Sequence, residues 1–174
     1  MPALPGPKEN VILIGMAYSG KSTVGPLLAR RLLLQFLDTD LLIQAGERAT
    51  LQALIESRGV EEFKRLEERY VTTLDCRGFV VATGGSVVYS RRSIDHLKRL
   101  GPLVHLDVPL QELESRLCGM GTRGLVMEGE LTFAALFEAR KALYTGCADL
   151  TVPCAAMAPE EIAGEIVRRL ALRR

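Results

Sequence analysis

The sequence predicts an α/β fold in which a central parallel sheet of about five strands carries helices on both faces. Strand-like and helix-like segments alternate along the whole chain, which is typical of parallel strands joined by helical crossovers. The strand-like segments are short continuous apolar runs, as expected of strands buried on both faces. The composition is 48% hydrophobic and 25% charged over 174 residues, which suits one folded domain covering residues 1–174.

The first strand and helix flank the most informative stretch of the chain. Residues 10–14 (NVILI) predict a buried strand, and helical spacing of Val24, Leu27 and Leu28 predicts a helix after it. Between them, residues 15–23 (GMAYSGKST) fit the pattern G-x-x-x-x-G-K-[ST] of a phosphate-binding loop. A chance match in a glycine-rich turn is the alternative, and the strand before and helix after the motif argue against it.

This loop has the chemistry that a nucleoside triphosphate requires. Its backbone N–H groups and the start of the following helix make a nest for anionic oxygens. Gly15 and Gly20 allow backbone conformations that a Cβ would block. Lys21 brings a positive charge to the β- and γ-phosphates, and Ser22 offers a hydroxyl to Mg²⁺.

The next segments predict a second strand and two helices. Residues 36–38 are a short strand that ends in an acid. A helix over residues 50–57 starts at a capping Thr50 and is closed by Gly59. A longer helix over residues 61–74 has an apolar face and acids in its first turn. We expect this pair of helices, in an insertion over about residues 41–75, to cover a small-molecule site that binds the acceptor.

The second half of the chain continues the alternation. A strand over residues 79–82 stops at Gly84-Gly85, and a helix over 91–100 ends at Gly101. A strand over 103–107 is followed by a helix that opens at Pro109. Residues 119–131 are rich in glycine and lack a clear period, so we expect a mobile lid there. A helix over 132–145, a strand over 149–152 and a last helix from Pro159 complete the chain.

Polar groups follow the second and third strands at the edge where a ligand is expected. In Asp38-Thr39-Asp40, one acid can face Mg²⁺ and its waters and the other an acceptor hydroxyl. The alternative is a helix N-cap at Thr39 or Asp40. No acid follows the third strand, so Asp38 becomes the natural magnesium partner, through water. Thr83-Gly84-Gly85-Ser86 offers bare backbone to a ligand, or is a plain turn.

Three arginines lie in or near the predicted lid. Arg123 lies within it, Arg116 one segment earlier, and Arg140 on the helix that follows. An arginine on a closing loop can meet a transferring phosphoryl group and exclude water. Taken singly, each of them fits a solvated surface charge better than a catalytic role.

Charge and composition exclude several other classes. The net charge of +1 gives no pull toward nucleic acid or a membrane surface, and no run is long enough to span a bilayer. The N-terminus has no apolar signal core, so we expect a cytoplasmic protein. We also expect a monomer. The four cysteines lack a C-x-x-C pair, which argues against structural zinc and favours small apolar residues or free thiols. His96 and His105 are expected to be structural.

Taken together, these motifs resemble those of the shikimate kinase family over about residues 9–172. The resemblance rests on the phosphate-binding loop, Asp-Thr-Asp, the Gly-Gly turn, the glycine-rich loop with Arg123, and Arg140 three residues before Leu143-Tyr144. It implies a P-loop fold of the nucleoside monophosphate kinase type. It also implies transfer of the γ-phosphate of ATP, with Mg²⁺, to the 3-hydroxyl of shikimate, a step toward chorismate and the aromatic amino acids.

The resemblance also implies roles for individual residues. Lys21, Asp40 and Arg123 would be catalytic, with Asp40 also binding acceptor hydroxyls as the candidate base. Ser22, and Asp38 through water, would hold Mg²⁺. Acceptor contacts would come from Asp40, Lys64, Gly84, Gly85 and Arg140, the last pairing with a carboxylate. The nucleotide would be bound by Tyr18, Ser19, Gly20, Lys21, Ser22, Thr23, Arg116 against adenine, Arg123 on the phosphates, and Pro159 at the end of the adenine loop.

Three departures from the family pattern bear on these roles. Phe63-Lys64 stands where the family has Phe-Arg, and lysine lacks the planar fork of arginine. Ser86 replaces the third glycine of Gly-Gly-Gly, and Gly124 replaces the proline of Arg-Pro-Leu. Two of the three changes touch the acceptor pocket. A kinase of the same fold for another polyol or hydroxy acid, and a catalytically silent nucleotide-binding protein, therefore remain as alternatives.

Overall fold

A computed structural model describes residues 9–120 and 132–172 of the chain. The predicted sheet is confirmed: it has five strands in the order β2-β3-β1-β4-β5, and every neighbouring pair is parallel. The strands are β1 (Val11–Ile14), β2 (Gln35–Asp38), β3 (Phe79–Ala82), β4 (Leu103–Asp107) and β5 (Leu150–Pro153).

The central strand β1 determines where the site lies. All four of its residues are buried, and Ile12 is in register with Val81 of β3 and Leu103 of β4. Because the strand order runs outward from β1 in both directions, the carboxyl end of β1 is the switch point of the sheet. Crevices that bind ligands open at such points in parallel α/β sheets. Gly15, the first glycine of the phosphate-binding loop, directly follows β1.

Helices pack around the sheet, and most of them match the predicted segments. Thr50 and Thr132 are N-caps as predicted, accepting from Ala53 N and Ala135 N at 3.2 Å each. The helices are α1 (Lys21–Leu32), α2 (Thr39–Glu47), α3 (Leu51–Arg58), α4 (Val60–Thr72), α5 (Arg91–Leu100), α6 (Leu110–Met120), α7 (Phe133–Cys147) and α8 (Pro159–Leu172), with a 3₁₀ turn at Gly85–Tyr89.

The predicted pair of insertion helices is wrong, because three helices occupy that part of the chain. The additional helix, α2, begins at Thr39, and its N-cap is Asp38 rather than Thr39 or Asp40. Asp38 Oδ1 accepts from the backbone N–H of Asp40 at 2.9 Å. Leu41 is exposed and Ile43 is buried, so the apolar residues of α2 do not form the stripe that signals a helix.

The three helices α2–α4 have a small apolar core of their own, separate from the main core around the sheet. It is formed by Ile43, Leu54, Phe63 and Leu66. This core fixes α4 relative to α2, so that side chains of both helices face the end of β3. Asp40 of α2 and Glu67 of α4 therefore both lie next to Gly84.

Several other expectations concern the rest of the chain. Most of the predicted lid, residues 121–131, lies outside the described residues, and so does Arg123. All four cysteines are free thiols, as predicted. His105 is buried on β4 and stacks on Tyr144 with ring centroids 5.0 Å apart, a structural placement. Within residues 9–120 and 132–172, no helix is long and apolar enough to cross a membrane.

Candidate active site

The phosphate-binding loop joins β1 to α1, and its two glycines are required by its backbone. Gly20 has φ of 92° immediately before the first residue of α1. Gly15 has φ of 147°, and a Cβ there would lie 3.1 Å from Leu106 O and from Ser19 Oγ. Side chains are strained in this region of φ, so glycine is needed at both positions for the loop to turn its N–H groups inward.

Lys21 is a buried cation within this loop. Its side chain folds back so that Nζ donates to Gly15 O at 2.8 Å, Met16 O at 2.7 Å and Ser19 Oγ at 3.3 Å. Burial lowers the pKa of Lys21 to about 8, and the negative charges of Asp40 and Asp38 oppose this shift. The ammonium group therefore stays mostly protonated at neutral pH.

Ser22 and Asp38 lie in direct contact. Ser22 Oγ donates to Asp38 Oδ2 at 2.6 Å, while the other oxygen of Asp38 caps α2. A hydroxyl and a carboxylate that converge are the hard oxygen donors that Mg²⁺ prefers, and Mg²⁺ retains most of its waters when only one or two protein oxygens are present. Among the described residues, no group of three or more His, Cys, Asp or Glu side chains is arranged to hold a metal ion. A magnesium ion beside Ser22 and Asp38 would therefore keep waters among its ligands.

Asp40 is positioned by the first turn of α2 and lines the cavity above the loop. Burial raises the pKa of its carboxyl to about 6; the charge of Asp38 adds to the shift and that of Lys21 opposes it. A carboxylate with a pKa near the working pH is suited to accept a proton from a hydroxyl. An acid that closely follows a strand was expected to lie at the ligand edge of the sheet, and Asp40 does line the cavity there.

Glu67 is a second buried carboxylate that the sequence analysis missed. It is 3% exposed, and its Oε2 accepts from Ser86 Oγ at 2.7 Å. Its Oε1 is buried and has no hydrogen-bond partner within the described part of the chain. Burial raises the pKa of Glu67 to about 7, although the bond from Ser86 opposes the shift. The sequence did carry a signal that Glu67 is buried. Glu67 lies four residues after Phe63, so the helical period places it on the apolar face of α4.

The Gly84-Gly85 turn brings its backbone close to these acids. A Cβ at Gly84 would lie 2.1 Å from Glu67 Oε1 and 2.9 Å from Asp40 Oδ1. Gly85 O accepts from the hydroxyl of Tyr144 at 2.6 Å, which ties the turn to α7. The turn is thus a surface without side chains beside two carboxylates, and it leaves room for a ligand to approach closely.

Arg140 and Lys64 meet around one aromatic ring. Arg140 is 1% exposed, and its Nε donates to the hydroxyl of Tyr89 at 3.3 Å. The Tyr89 ring lies 5.2 Å from Arg140 Cζ and 4.8 Å from Lys64 Nζ. Lys64 also forms an ion pair with Glu61 at 3.1 Å. Two cations from α4 and α7 are therefore held near each other by Tyr89.

Arg116 projects from α6 to the phosphate-binding loop. Its Nη1 donates to Tyr18 O at 2.9 Å, and its Nη2 contacts Glu112 at 3.3 Å. Pro159, the first residue of α8, lines the same cavity as Arg116. The structure therefore brings both residues predicted for adenine to one cavity with the phosphate-binding loop.

One cavity of about 600 Å³ unites these groups, which is ample for a small-molecule ligand. Two predicted site residues within the described part of the chain, Asp38 and Lys64, do not line it. Asp38 contacts Ser22, and Lys64 Nζ lies over the Tyr89 ring. The predicted residues that line it are Tyr18, Ser19, Gly20, Lys21, Ser22, Thr23, Asp40, Gly84, Gly85, Arg116, Arg140 and Pro159.

A phosphate-binding loop at the switch point of a parallel sheet, with buried carboxylates across the same cavity, defines a P-loop kinase. Comparison with known proteins narrows this class. The family model described as shikimate kinase matches residues 18–171. The chain belongs to the shikimate kinase family.

Individual relatives agree with the family match over nearly the whole chain. The shikimate kinase of Persephonella marina is 33% identical over 93% of this chain and 99% of that protein. The shikimate kinase of Geobacter sulfurreducens is 36% identical over 94% of this chain and 92% of that protein. The structure of Acinetobacter baumannii shikimate kinase in complex with shikimate superimposes with a TM-score of 0.86 and 27% identity, covering 95% and 94% of the two chains.

Proposed function

We propose that this protein transfers the γ-phosphate of ATP to a hydroxyl of shikimate, forming shikimate 3-phosphate and ADP. The observation that carries the proposal is the convergence of Lys21, Asp40 and Arg140 on one cavity. That cavity offers a cation and a nest for a polyphosphate, a carboxylate for a hydroxyl, and a buried guanidinium for a carboxylate. Shikimate has hydroxyls and a carboxylate on one small ring. Its hydroxyls match the carboxylate of the cavity, and its carboxylate matches the buried guanidinium.

Each residue has a defined part in the proposed reaction. The loop over residues 15–23 holds the β- and γ-phosphates through N–H groups, and Lys21 neutralises charge on the transferring group. Asp40 orients the attacking hydroxyl and accepts its proton. Mg²⁺ supplies neutralisation of the phosphate charge, and Ser22 Oγ, with Asp38 through water, would hold it. Arg123 is proposed to reach the phosphates from the lid. Most of the rate enhancement would come from positioning and charge stabilisation.

The acceptor end of the site is proposed to be built from α4, the Gly84-Gly85 turn and α7. Arg140 would pair with the carboxylate of the acceptor, and Lys64 would add a second positive charge. The N–H of Gly85 would donate to the acceptor. Glu67, beside Asp40, would accept from a ring hydroxyl through the oxygen that lacks a partner in the described structure.

The nucleotide end is proposed to place adenine between Arg116 and Pro159. Tyr18, Ser19, Gly20 and Thr23 would surround the polyphosphate. We further propose a cytoplasmic monomer with no nucleic acid or membrane partner, which the net charge of +1 and the four free thiols support. Size-exclusion chromatography with light scattering tests the oligomeric state.

The test is release of ADP by the purified protein with ATP and Mg²⁺, with and without shikimate. We expect release to require shikimate and the product to be shikimate 3-phosphate by mass spectrometry. Quinate and gluconate serve as comparison acceptors, because Lys64 and Ser86 depart from the family pattern. Faster release with either of them would reassign the acceptor, and ATP binding without turnover on any acceptor would favour a silent nucleotide-binding protein.

A further inference from the structure

Glu112, in the first turn of α6, joins two segments that line the nucleotide end of the cavity. Its Oε1 accepts from the backbone N–H of Ala156 at 2.8 Å, and its Oε2 lies 3.3 Å from Arg116 Nη2. Arg116 in turn donates to Tyr18 O of the phosphate-binding loop. One carboxylate therefore connects α6, the segment between β5 and α8, and the loop.

The segment that Glu112 holds has a constrained backbone. Ala156 has φ of 52°, a conformation that residues other than glycine seldom adopt. Its neighbour Met157 lines the cavity together with Arg116 and Pro159. The bond from Ala156 N–H to Glu112 fixes this turn, and the turn determines how far Met157 and Pro159 lie from the guanidinium.

The ion pair between Glu112 and Arg116 is not suited to stabilise the fold by much. The side chains of Glu112 and Arg116 are 31% and 35% exposed, and ion pairs as exposed as this contribute about 0–1 kcal/mol. Their geometry is more specific. Glu112 and Tyr18 O each contact one terminal nitrogen of the Arg116 guanidinium. The planar face of a guanidinium stacks well on a flat aromatic ring.

We propose that Glu112 is a positioning residue for the base of the nucleotide. It sets the distance between the Arg116 plane and the turn of Ala156–Met157, and so forms a slot for a purine ring. This inference rests on the proposed function in one respect, that the nucleotide lies in this cavity. It implies that Glu112 contributes to binding of the base and not to binding of the phosphates.

The experiment measures dissociation constants by calorimetry for ATP and for inorganic tripolyphosphate, both with Mg²⁺. The variants are Glu112→Ala, which removes both contacts, and Glu112→Gln, which keeps an acceptor for Ala156 N–H but removes the charge beside Arg116. Glu114→Gln is the matched control, because Glu114 is exposed on the same helix and does not line the cavity. Thermal unfolding is recorded for every variant.

We expect Glu112→Ala to weaken ATP about tenfold and Glu112→Gln about threefold, while tripolyphosphate changes less than about twofold. The KM for ATP should rise in the same order, with kcat and the KM for the acceptor unchanged. Unchanged ATP affinity in both variants would overturn the inference. Equal weakening of ATP and tripolyphosphate would also overturn it, because Glu112 would then act through the loop. If Glu112→Ala fails to fold, Glu112→Gln decides between these results.

Failure of the proposed function would give a different experimental result from failure of the inference about Glu112. Wild-type protein that binds ATP more tightly than tripolyphosphate but releases no ADP with any acceptor would refute the kinase proposal. The effect of Glu112 on ATP binding would still be measurable in that protein. Wild-type protein that binds ATP and tripolyphosphate equally would refute the base slot itself.

Discussion

Ser86 donates a buried hydrogen bond to Glu67, with Oγ and Oε2 2.7 Å apart, and so ties the turn after β3 to α4. Ser86 stands where the resemblance to the family led us to expect a third glycine, which could not make this bond. The bond satisfies one oxygen of a carboxylate that is almost wholly removed from water. The departure at Ser86 therefore has a physical consequence for the wall of the cavity that Glu67 and Ser86 line.

Removing the hydroxyl of Ser86 should destabilise the protein. Ser86→Ala removes the donor to Oε2 of buried Glu67, whose Oε1 already lacks a partner among the described residues. We expect a loss of about 1–3 kcal/mol in the free energy of unfolding at pH 8, measured in urea. Ser93→Ala is the control, since Ser93 Oγ is also buried but has no partner among the described residues. A loss as large in Ser93→Ala as in Ser86→Ala would contradict the explanation.

Glu67 should make stability fall as pH rises. The folded protein keeps the Glu67 proton up to a pKa of about 7, whereas the unfolded chain releases it near 4.5. The folded state therefore binds more protons between pH 4.5 and 7, and stability decreases across that window by up to about 3 kcal/mol. Asp40, with a pKa raised from 3.8 to about 6, acts in the same direction at lower pH.

Glu67→Gln tests this pH dependence, since it removes the titrating group and retains a similar shape. We expect the slope of unfolding free energy against pH between 5 and 7 to become flatter than in the wild type. The exposed Glu160→Gln variant should keep the wild-type slope. An unchanged slope in Glu67→Gln would show that Glu67 is not protonated in the folded protein near neutral pH.

Gly84→Ala should weaken acceptor binding strongly through a steric effect. The added Cβ would lie 2.1 Å from Glu67 Oε1, so the carboxylate or the turn has to move. We expect the KM for shikimate to rise about 100-fold or more, with little change in ATP affinity. Gly146→Ala, where nothing lies within 4 Å, should leave both constants unchanged. An equal loss of ATP affinity in Gly84→Ala would place its effect in the phosphate-binding loop.

Lys64→Arg should improve binding of a carboxylate-bearing acceptor. Arginine can form two parallel hydrogen bonds with a carboxylate and can stack on Tyr89, where Lys64 Nζ now lies. We expect the KM for shikimate to fall about 3- to 10-fold. Arg65→Lys, which alters an exposed side chain paired with Glu62, is the control and should have no effect. A KM that is unchanged or higher in Lys64→Arg would count against shikimate as the acceptor.

Lys21→Ala should abolish phosphate transfer without unfolding the protein. The variant removes the only lysine of residues 15–23. It also removes a buried ammonium group, whose pKa is lowered by burial. We expect kcat to drop by about 10²–10³-fold or more, measured as ADP release, with the circular dichroism spectrum retained. Lys98→Ala, on the exposed surface of α5, should remain fully active. A folded, active Lys21→Ala protein would refute the assignment of the loop.

The sequence alone predicted the five strands, most helices and the phosphate-binding loop. These depend on short-range chemistry: buried strands are apolar runs, Thr50 and Thr132 cap their own helices, and Gly15 and Gly20 meet backbone needs within one loop. The helix α2 was anticipated only through the alternative of an N-cap at Thr39 or Asp40, because its exposed Leu41 and polar start hide the apolar period. This helix is stabilised by packing of Ile43 against residues of α3 and α4, and the local sequence pattern gives no sign of that packing.

By itself, the sequence determined the class of fold and the position of the phosphate-binding loop, because the spacing of neighbouring residues is enough to set both. Only the tertiary structure decided the chemistry of the opposite wall. Glu67 and Ser86 are 19 residues apart, and Arg140 reaches Tyr89 across 51 residues. Burial and charge act through space rather than along the chain, so the raised pKa values of Glu67 and Asp40 follow from their shared surroundings beside Gly84.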